Sequence, residues 1–265
     1  MAYLSATMNV MTAVAKKAAR GLVRDFGEVE QLQVSLKGTN DFVSAADIKA
    51  EQTLYRELKK GRPDFGFLRE EGGIEAGKDA SHRWIIDPLD GTTNFLHGIP
   101  HFAISLALER DDDIIAGVIY NPISDEMYYA EKGLGAYLND RRLRVSARRH
   151  INEAVIATGI PFLGRPDHAP FLAQLRAVMA ATAGIRRMGS AALDLAYVAA
   201  GRYDGYWETG LSAWDVAAGV IVVREAGGYV TELSGGRDVI RNGSVLAAND
   251  HLHQSLGDLL RAANA

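Results

Sequence analysis

Two carboxylates three positions apart, Asp87 and Asp90, stand in the run Trp84-Ile85-Ile86-Asp87-Pro88-Leu89-Asp90-Gly91-Thr92-Thr93-Asn94-Phe95. Three apolar residues lead into it like the end of a buried strand, and Pro88 fixes the backbone between the acids. The Gly-Thr-Thr-Asn that follows has the small residues and hydroxyls of a helix start, whose free N–H groups attract anions. A cation site beside an anion site is what metal-assisted phosphoryl chemistry requires. The competing reading is a helix N-cap that merely carries acids. Further carboxylates stand at Glu70-Glu71, after Phe65-Gly66-Phe67-Leu68, and at Asp215, which opens a helix in Trp214-Asp215-Val216-Ala217-Ala218-Gly219. The chain has no cysteine. That excludes disulfides, thiolate nucleophiles and Cys-based zinc or iron–sulfur sites. An all-oxygen donor set points to a hard cation, Mg²⁺ or Mn²⁺.

These residues need elements to hold them. Leu4, Met8, Met11, Ala15, Ala18 and Leu22 form one apolar stripe and predict a first helix. A second helix is predicted over residues 47–60, with Ile48, Leu54, Tyr55 and Leu58 inward and Gly61 and Pro63 as its stop. From Phe102 the period changes to two: Phe102, Ile104, Leu106 and Leu108 suit a strand. Strands over 114–120 and 126–130 follow so closely that an antiparallel meander is expected. Asp111, Asp112 and Asp113 read as its hairpin turn rather than as ligands. Beyond a soft boundary near residue 150, the chain alternates: strand 153–158, helices 171–183 and 191–200, strand 203–207 and helix 215–226. Gly201 and Gly227 fall where helix C-caps lie. The expected organisation is an N-terminal half (1–150) with most of the candidate ligands and a C-terminal half (151–265) with Asp215, forming one unit.

Composition narrows the function classes. With 265 residues, 48% of them hydrophobic, the chain needs no metal or disulfide staples to fold. The 29 Lys+Arg against 33 Asp+Glu give a net charge of −4, which argues against a dedicated nucleic-acid binder. A local basic run, Arg141, Arg142, Arg144, Arg148 and Arg149, is the exception. No charge precedes Lys16, so a basic signal-peptide start is missing. The longest apolar run, 216–223, falls far short of the roughly 20 residues of a bilayer span. A cytoplasmic protein without membrane contact is expected. Residues 72–79 imitate a nucleotide-binding P-loop but place Asp79 where Ser or Thr should hold Mg²⁺, so an exposed loop over the metal site is expected. His251 and His253 are spaced wrongly for one helix face and read as surface residues.

The three acidic motifs, in this order, resemble those of the inositol monophosphatase family, within the lithium-sensitive, Mg²⁺-dependent phosphatases. The likeness runs from the 41–47 region to Val245-Leu246-Ala247-Ala248-Asn249. It implies an α/β (α+β) fold layered as an αβαβα sandwich. It implies two or three Mg²⁺ ions, with Mn²⁺ as an alternative, held by Glu70, Asp87, the Leu89 carbonyl, Asp90 and Asp215. Gly91 and Thr92 would receive the phosphate. Thr92, linked to Asp47, and Glu70 would orient and deprotonate the attacking water. Asp90, Gly189, Ser190, Ala191 and Glu208 would line the polyol pocket, although Ser190 reads equally well as an N-cap and Tyr206 and Trp207 as core. Two departures bear on substrate: Arg69, where many relatives have a small residue, puts a cation beside Glu70, and Ser212 occupies a variable position. The implied activity is hydrolysis of myo-inositol monophosphate or a similar polyol phosphate, by a homodimer. Fructose 1,6-bisphosphatase and histidinol-phosphate phosphatase activities are the alternatives within the same chemistry. From another class, the 141–149 run leaves open an RNA- or partner-binding role.

Overall fold

The computed structural model describes residues 4–28, 34–38, 41–161 and 168–263. Helix α1 (Ala6–Phe26) is capped by Ser5, whose Oγ accepts from Met8 N at 3.0 Å. The hairpin β1 (Val34–Gly38) and β2 (Asp41–Ser44) leads into α2 (Ala45–Gly61). Next come β3 (Phe65–Arg69), β4 (Gly73–Glu75), β5 (Asp79–Asp90) and the single turn of α3 (Thr92–Leu96). The meander β6 (Ala103–Arg110), β7 (Asp113–Asn121), β8 (Glu126–Glu131), β9 (Gly135–Leu138) and β10 (Arg141–Arg142) completes an eight-stranded sheet ordered β10-β9-β8-β7-β6-β5-β3-β4. Then follow β11 (Val155–Thr158), α4 (Ala169–Ala181), β12 (Gly184–Arg186), α5 (Ala191–Ala199), β13 (Gly205–Thr209) and α6 (Ala213–Glu225). The chain ends with β14 (Tyr229–Thr231), α7 (Val239–Asn242), β15 (Ser244–Ala248) and α8 (Asp250–Ala262). The second sheet is ordered β12-β11-β13-β15-β14.

The layers are helix, sheet, helix, sheet, helix. Helices α1 and α2 cover one face of the large sheet around Met8, Met11, Leu22, Leu54, Leu58, Phe67 and Trp84. Helices α5 and α6 lie between the two sheets, and α4 and α8 cover the far face of the second. This is the expected αβαβα sandwich. Its middle layer explains α6: residues 216–223 are all buried, because a helix packed from every side has no face to leave polar. The same covering buries β6 on both faces over seven of its eight residues, although the sequence alternates large and small.

The apolar stripe of α1 lies inward as its spacing predicts. The second helix departs from prediction: Ile48 is 43% exposed, whereas Asp47 and Glu51 are buried. The helix turns carboxylates, not its Ile, toward the sheet. Residues 72–79, expected as an exposed loop, instead supply β4, an edge strand antiparallel to β3. Glu153 lies in a 3₁₀ turn ahead of β11 rather than within it. The strand expected at 203–207 begins later, at Gly205. Asp111 and Asp112 adopt φ of 50° and 64°, the left-handed pair of a tight hairpin turn, and Asp113 opens β7.

Contact between the middle layer and the large sheet is close. A Cβ on Gly117 of β7 would lie 2.7 Å from Ile221 Cγ2 and 2.9 Å from the Ala218 carbonyl oxygen. Gly117→Val is therefore expected to destabilise the chain by about 1–3 kcal/mol, as overpacking does. A lowered urea midpoint at unchanged m-value would show it.

Candidate functional site

The site forms where β5 ends. Asp87 pairs with Ser105 and Asp90 with Ala103, so Pro88 and Leu89 together oppose one residue of β6. Pro88 has no N–H to give a ladder, and a bulge here re-aims the flanking side chains. Asp87 is buried, and its Oδ1 accepts from Leu89 N at 2.9 Å. Gly91 then turns the chain with φ 95°, where a Cβ would sit 3.0 Å from the His101 carbonyl oxygen. Thr92 opens α3, with Oγ 3.1 Å from Asp47 Oδ1 and 3.0 Å from the Leu89 carbonyl oxygen. One hydroxyl proton serves one acceptor at a time, so Thr92 can switch its donation between them.

The C-terminal half closes the site from the other side. Asp90 Oδ2 accepts from Ser190 Oγ at 2.5 Å and from Ala192 N at 2.7 Å, which docks the start of α5 onto β5. Ser190 Oγ also accepts from Leu193 N at 3.3 Å. It is thus both the N-cap of α5 and the holder of Asp90. Asp215 sits in the first turn of α6, where its Oδ2 accepts from Ser212 N at 2.7 Å. Ser212, variable at the sequence level, therefore anchors a candidate ligand. Glu208, the penultimate residue of β13, accepts from the Tyr206 hydroxyl at 2.6 Å. A Cβ on Gly159 would fall 1.9 Å from the Glu208 carboxylate, so only glycine leaves it that space.

Electrostatics show that the four acids share one place. Burial pushes Asp87 well above the usual carboxylate range, and Glu70, Asp90 and Asp215 push it further. Asp215 is raised well above that range by burial, then by Asp90, while the Ser212 amide opposes. Asp90 is pushed up to about 6 by burial, against hydrogen bonds from Ser190 and Ala192. Like charges held this close in low dielectric favour a proton or a cation among them. Among the described residues, no three such side chains already stand in metal-ligand geometry. Instead, Asp87, Asp90 and Asp215 each turn an oxygen to a backbone amide. Oxygen donors of mixed type, carboxylates beside the Leu89 carbonyl, still fit Mg²⁺ or Mn²⁺ and no softer ion.

The chain as a whole can be placed by its likeness to known proteins. Residues 4–264 match the profile of the inositol monophosphatase family. The chain belongs to that family. It is 61% identical over 252 residues, 95% of each chain, to a Mesorhizobium japonicum protein named inositol-1-monophosphatase. It is 42% identical over 255 residues to a Pseudomonas aeruginosa protein named Nus factor SuhB, covering 94% of this chain and 93% of that one. The crystal structure of extragenic suppressor protein suhB from Bartonella henselae superposes with a TM-score of 0.95 at 60% identity, covering 97% and 99% of the two chains.

For this member of the inositol monophosphatase family, the structure brings Asp47, Glu70, Asp87, Asp90, Thr92, Ser190, Glu208 and Asp215 into one connected site. Gly189 and Ala191 flank Ser190 at the start of α5, Gly189 with φ 87°. Three further residues are tied to these groups or lie beside them. Tyr206 is fully buried, as core residues are, yet its hydroxyl holds Glu208. Asn94 donates to the carbonyls of His101 (2.7 Å) and Met188 (2.8 Å), tying the α3 turn to the chain ahead of α5. Asp194 is 1% exposed with Oδ1 lacking a hydrogen-bond partner, and burial raises it well above the carboxylate range, helped by Glu208 and Asp90. Asp194 was signalled only by its acidic type inside the otherwise apolar α5, and Asn94 only by its place in the Gly-Thr-Thr-Asn helix start.

Asp87→Asn keeps an oxygen for the Leu89 amide and removes one repelling charge. In chelator, its Tm is expected to exceed the wild-type value by roughly 2 °C, about the shift that 1 kcal/mol gives a domain of this size. Divalent-metal-dependent turnover is expected to vanish in the same variant. A phosphate-release assay and a thermal melt measure the two effects.

Proposed function

We propose that the chain hydrolyses myo-inositol monophosphate, or a closely similar polyol phosphate, in a Mg²⁺-dependent reaction. The observation that carries this reading is the convergence of Glu70, Asp87, Asp90 and Asp215 beside the Thr92–Asp47 hydrogen bond. Glu70, Asp87, the Leu89 carbonyl, Asp90 and Asp215 would hold two or three Mg²⁺ ions, with Mn²⁺ able to replace them. When bound, these cations offset the carboxylate charge and supply Lewis acidity at the phosphate oxygens.

The chain's own groups do the rest. Thr92 Oγ, donating to Asp47, keeps lone pairs with which to orient a water, and Glu70 stands ready to take its proton. Gly91 and Thr92 offer backbone amides to the phosphate. Helix α3 has only five residues, so these N–H groups, rather than a long macrodipole, would make that contact. Asp90, Gly189, Ser190, Ala191 and Glu208 line the polyol side, and Tyr206 holds the Glu208 carboxylate in one orientation. A rigid acceptor suits a substrate with fixed ring hydroxyls.

Turnover of myo-inositol 1-phosphate, fructose 1,6-bisphosphate and histidinol phosphate, compared with and without Mg²⁺, tests the assignment. The inositol ester is expected to give the highest kcat/KM, with inhibition by millimolar lithium; negligible turnover of all three would end the proposal. Thr92→Ala is expected to lower kcat by about 10²–10⁴-fold, the scale of lost proton transfer, with KM little changed. Gly159→Ala should do the opposite. Its methyl displaces Glu208, so KM for the polyol ester is expected to rise about tenfold while kcat changes little.

The same reading places the enzyme in the cytoplasm; no helix among the described residues is long and apolar enough to cross a membrane. It includes a homodimer. Leu172 is 58% and Met179 64% exposed on α4, a helix whose sequence is apolar nearly all round. A second copy would cover them. The double substitution Leu172→Glu, Met179→Glu is expected to halve the mass measured by sedimentation. A second function is favoured by one observation: Arg141, Arg142, Arg144, Arg148 and Arg149 are all exposed, the first two on the edge strand β10. RNA affinity that falls steeply with salt, and is lost when these arginines are replaced, would establish it.

A further inference from the structure

Arg69, a cation beside Glu70 in sequence, pairs with Glu51 and Glu75. Arg69 is the last residue of β3, and its side chain goes to the α2 side. Its guanidinium lies 4.5 Å over the Tyr55 ring, with Nη1 3.7 Å from Glu51 Oε1 and Nη2 3.8 Å from Glu75 Oε2. Lys59 holds Glu75 from the other side at 2.9 Å. The guanidinium also fills the space under the turn between β3 and β4: Nη2 donates to the Gly72 carbonyl oxygen at 3.2 Å, and a Cβ on Gly72 would fall 2.4 Å from Cζ.

Glu51 completes the grip. It is 4% exposed, and its Oε2 accepts from Glu71 N at 2.7 Å. On the other side of Glu70, its own amide donates to the Ile86 carbonyl at 3.2 Å, one residue before Asp87. The Glu70 carboxylate therefore projects from a backbone segment fixed at both ends, by β5 and by α2. Asp47, four residues before Glu51, is one helical turn away on the same buried face of α2 and reaches Thr92.

We propose that Glu51 and Arg69 are positioning residues for Glu70: an ion pair between buried Glu51 and half-buried Arg69, under the β3–β4 turn, sets where this ligand stands relative to Asp47 and Asp87. Glu51 supplies the acceptor for the Glu71 amide, and Arg69 aims that acceptor while bonding the far side of the turn. A charged acceptor makes the stronger hydrogen bond, and the guanidinium clasp adds direction. The departure at residue 69 thus belongs to the metal site rather than to substrate choice. Its bearing on metal rests on reading Glu70 as a ligand; the clasp itself does not.

The test uses the full-length protein with Glu51→Ala, Glu51→Gln and Arg69→Ala. Hydrogen exchange at the Glu71 amide is expected to quicken about tenfold or more in Glu51→Ala and Arg69→Ala, the scale of one lost hydrogen bond to a charged group. Glu51→Gln, which keeps an acceptor, should fall between these and wild type. Amides of α2 at Leu54 and Leu58 should keep their wild-type rates. In a thermal-shift titration with Mg²⁺ alone, the midpoint is expected to move to about tenfold higher concentration in both Ala variants, in parallel with exchange. Unchanged exchange at Glu71, or faster exchange spread equally over α2 and β3, overturns the clasp. Faster exchange with an unmoved Mg²⁺ midpoint overturns its role toward Glu70. Failure of wild type to respond to Mg²⁺ defeats the metal reading instead, while exchange still decides the clasp.

Discussion

Repulsion among buried carboxylates is the constraint that the rest of this structure answers. Glu70, Asp90 and Asp215 raise the proton affinity of the buried Asp87; Asp90, Glu70 and Glu208 raise that of Asp215, and Glu208 and Asp90 that of Asp194. Left to side-chain rotamers, such groups would swing apart or toward water. Here the backbone holds them. Asp87 is tied to Leu89, Asp90 to Ala192 and Asp215 to Ser212, each through an amide whose partial positive charge offsets part of the repulsion. Each tie lies at an element boundary, at a bulged strand end or in the first turn of a helix. There amides lack ladder or helix partners of their own.

The architecture can be read as the means of bringing those boundaries together. β5 ends where α5 and α6 begin, and both helices lie between the sheets. Gly117 and Gly219 let α6 approach β7 and α5 closely, so its first turn is set by packing on all sides. On the opposite face of the large sheet, α2 contributes Asp47 to Thr92 and Glu51 to the Glu71 amide. The site is thus framed from both sides of one sheet, at the end where β3 and β5 stop.

Much of this was legible in the residue pattern, and the misses have physical causes. The run from Trp84 to Phe95 is legible because its strand end, acids, turn and helix start are contiguous, so sequence spacing is spatial spacing. The α1 stripe and the meander are legible because helix and hairpin contacts are local. On α2 periodicity misled. Ile48 is exposed and Asp47 and Glu51 are buried, since a helix that serves a site spends inward positions on polar groups. The short strands β4, β12 and β14 carry three residues each, too few for any period to show. Tyr206 read as core and is core; only its hydroxyl partner, two residues along β13, reveals a second task. The fate of Arg69 turns on Tyr55, Glu51 and Glu75, which adjacency to Glu70 conceals.

The hydrogen bonds from Ser190 and Ala192 to Asp90 have a consequence for the protein's life on the ribosome. They join residues separated by 100 and 102 positions, and Asp215 arrives later still. A nascent chain that has released the large sheet already holds Asp47, Glu70, Asp87 and Thr92, yet lacks α5 and α6. During that interval the middle layer's partners, among them Ile85, Ala107 and Ile119, face water, and the acids have no wall behind them. Chains grow at roughly 5–20 residues per second, so the half-built sheet waits for some seconds before it is covered. Synthesis itself therefore acts as a timer: the site comes into being only when most of the polypeptide has emerged, and a product that terminates before Asp215 cannot carry it.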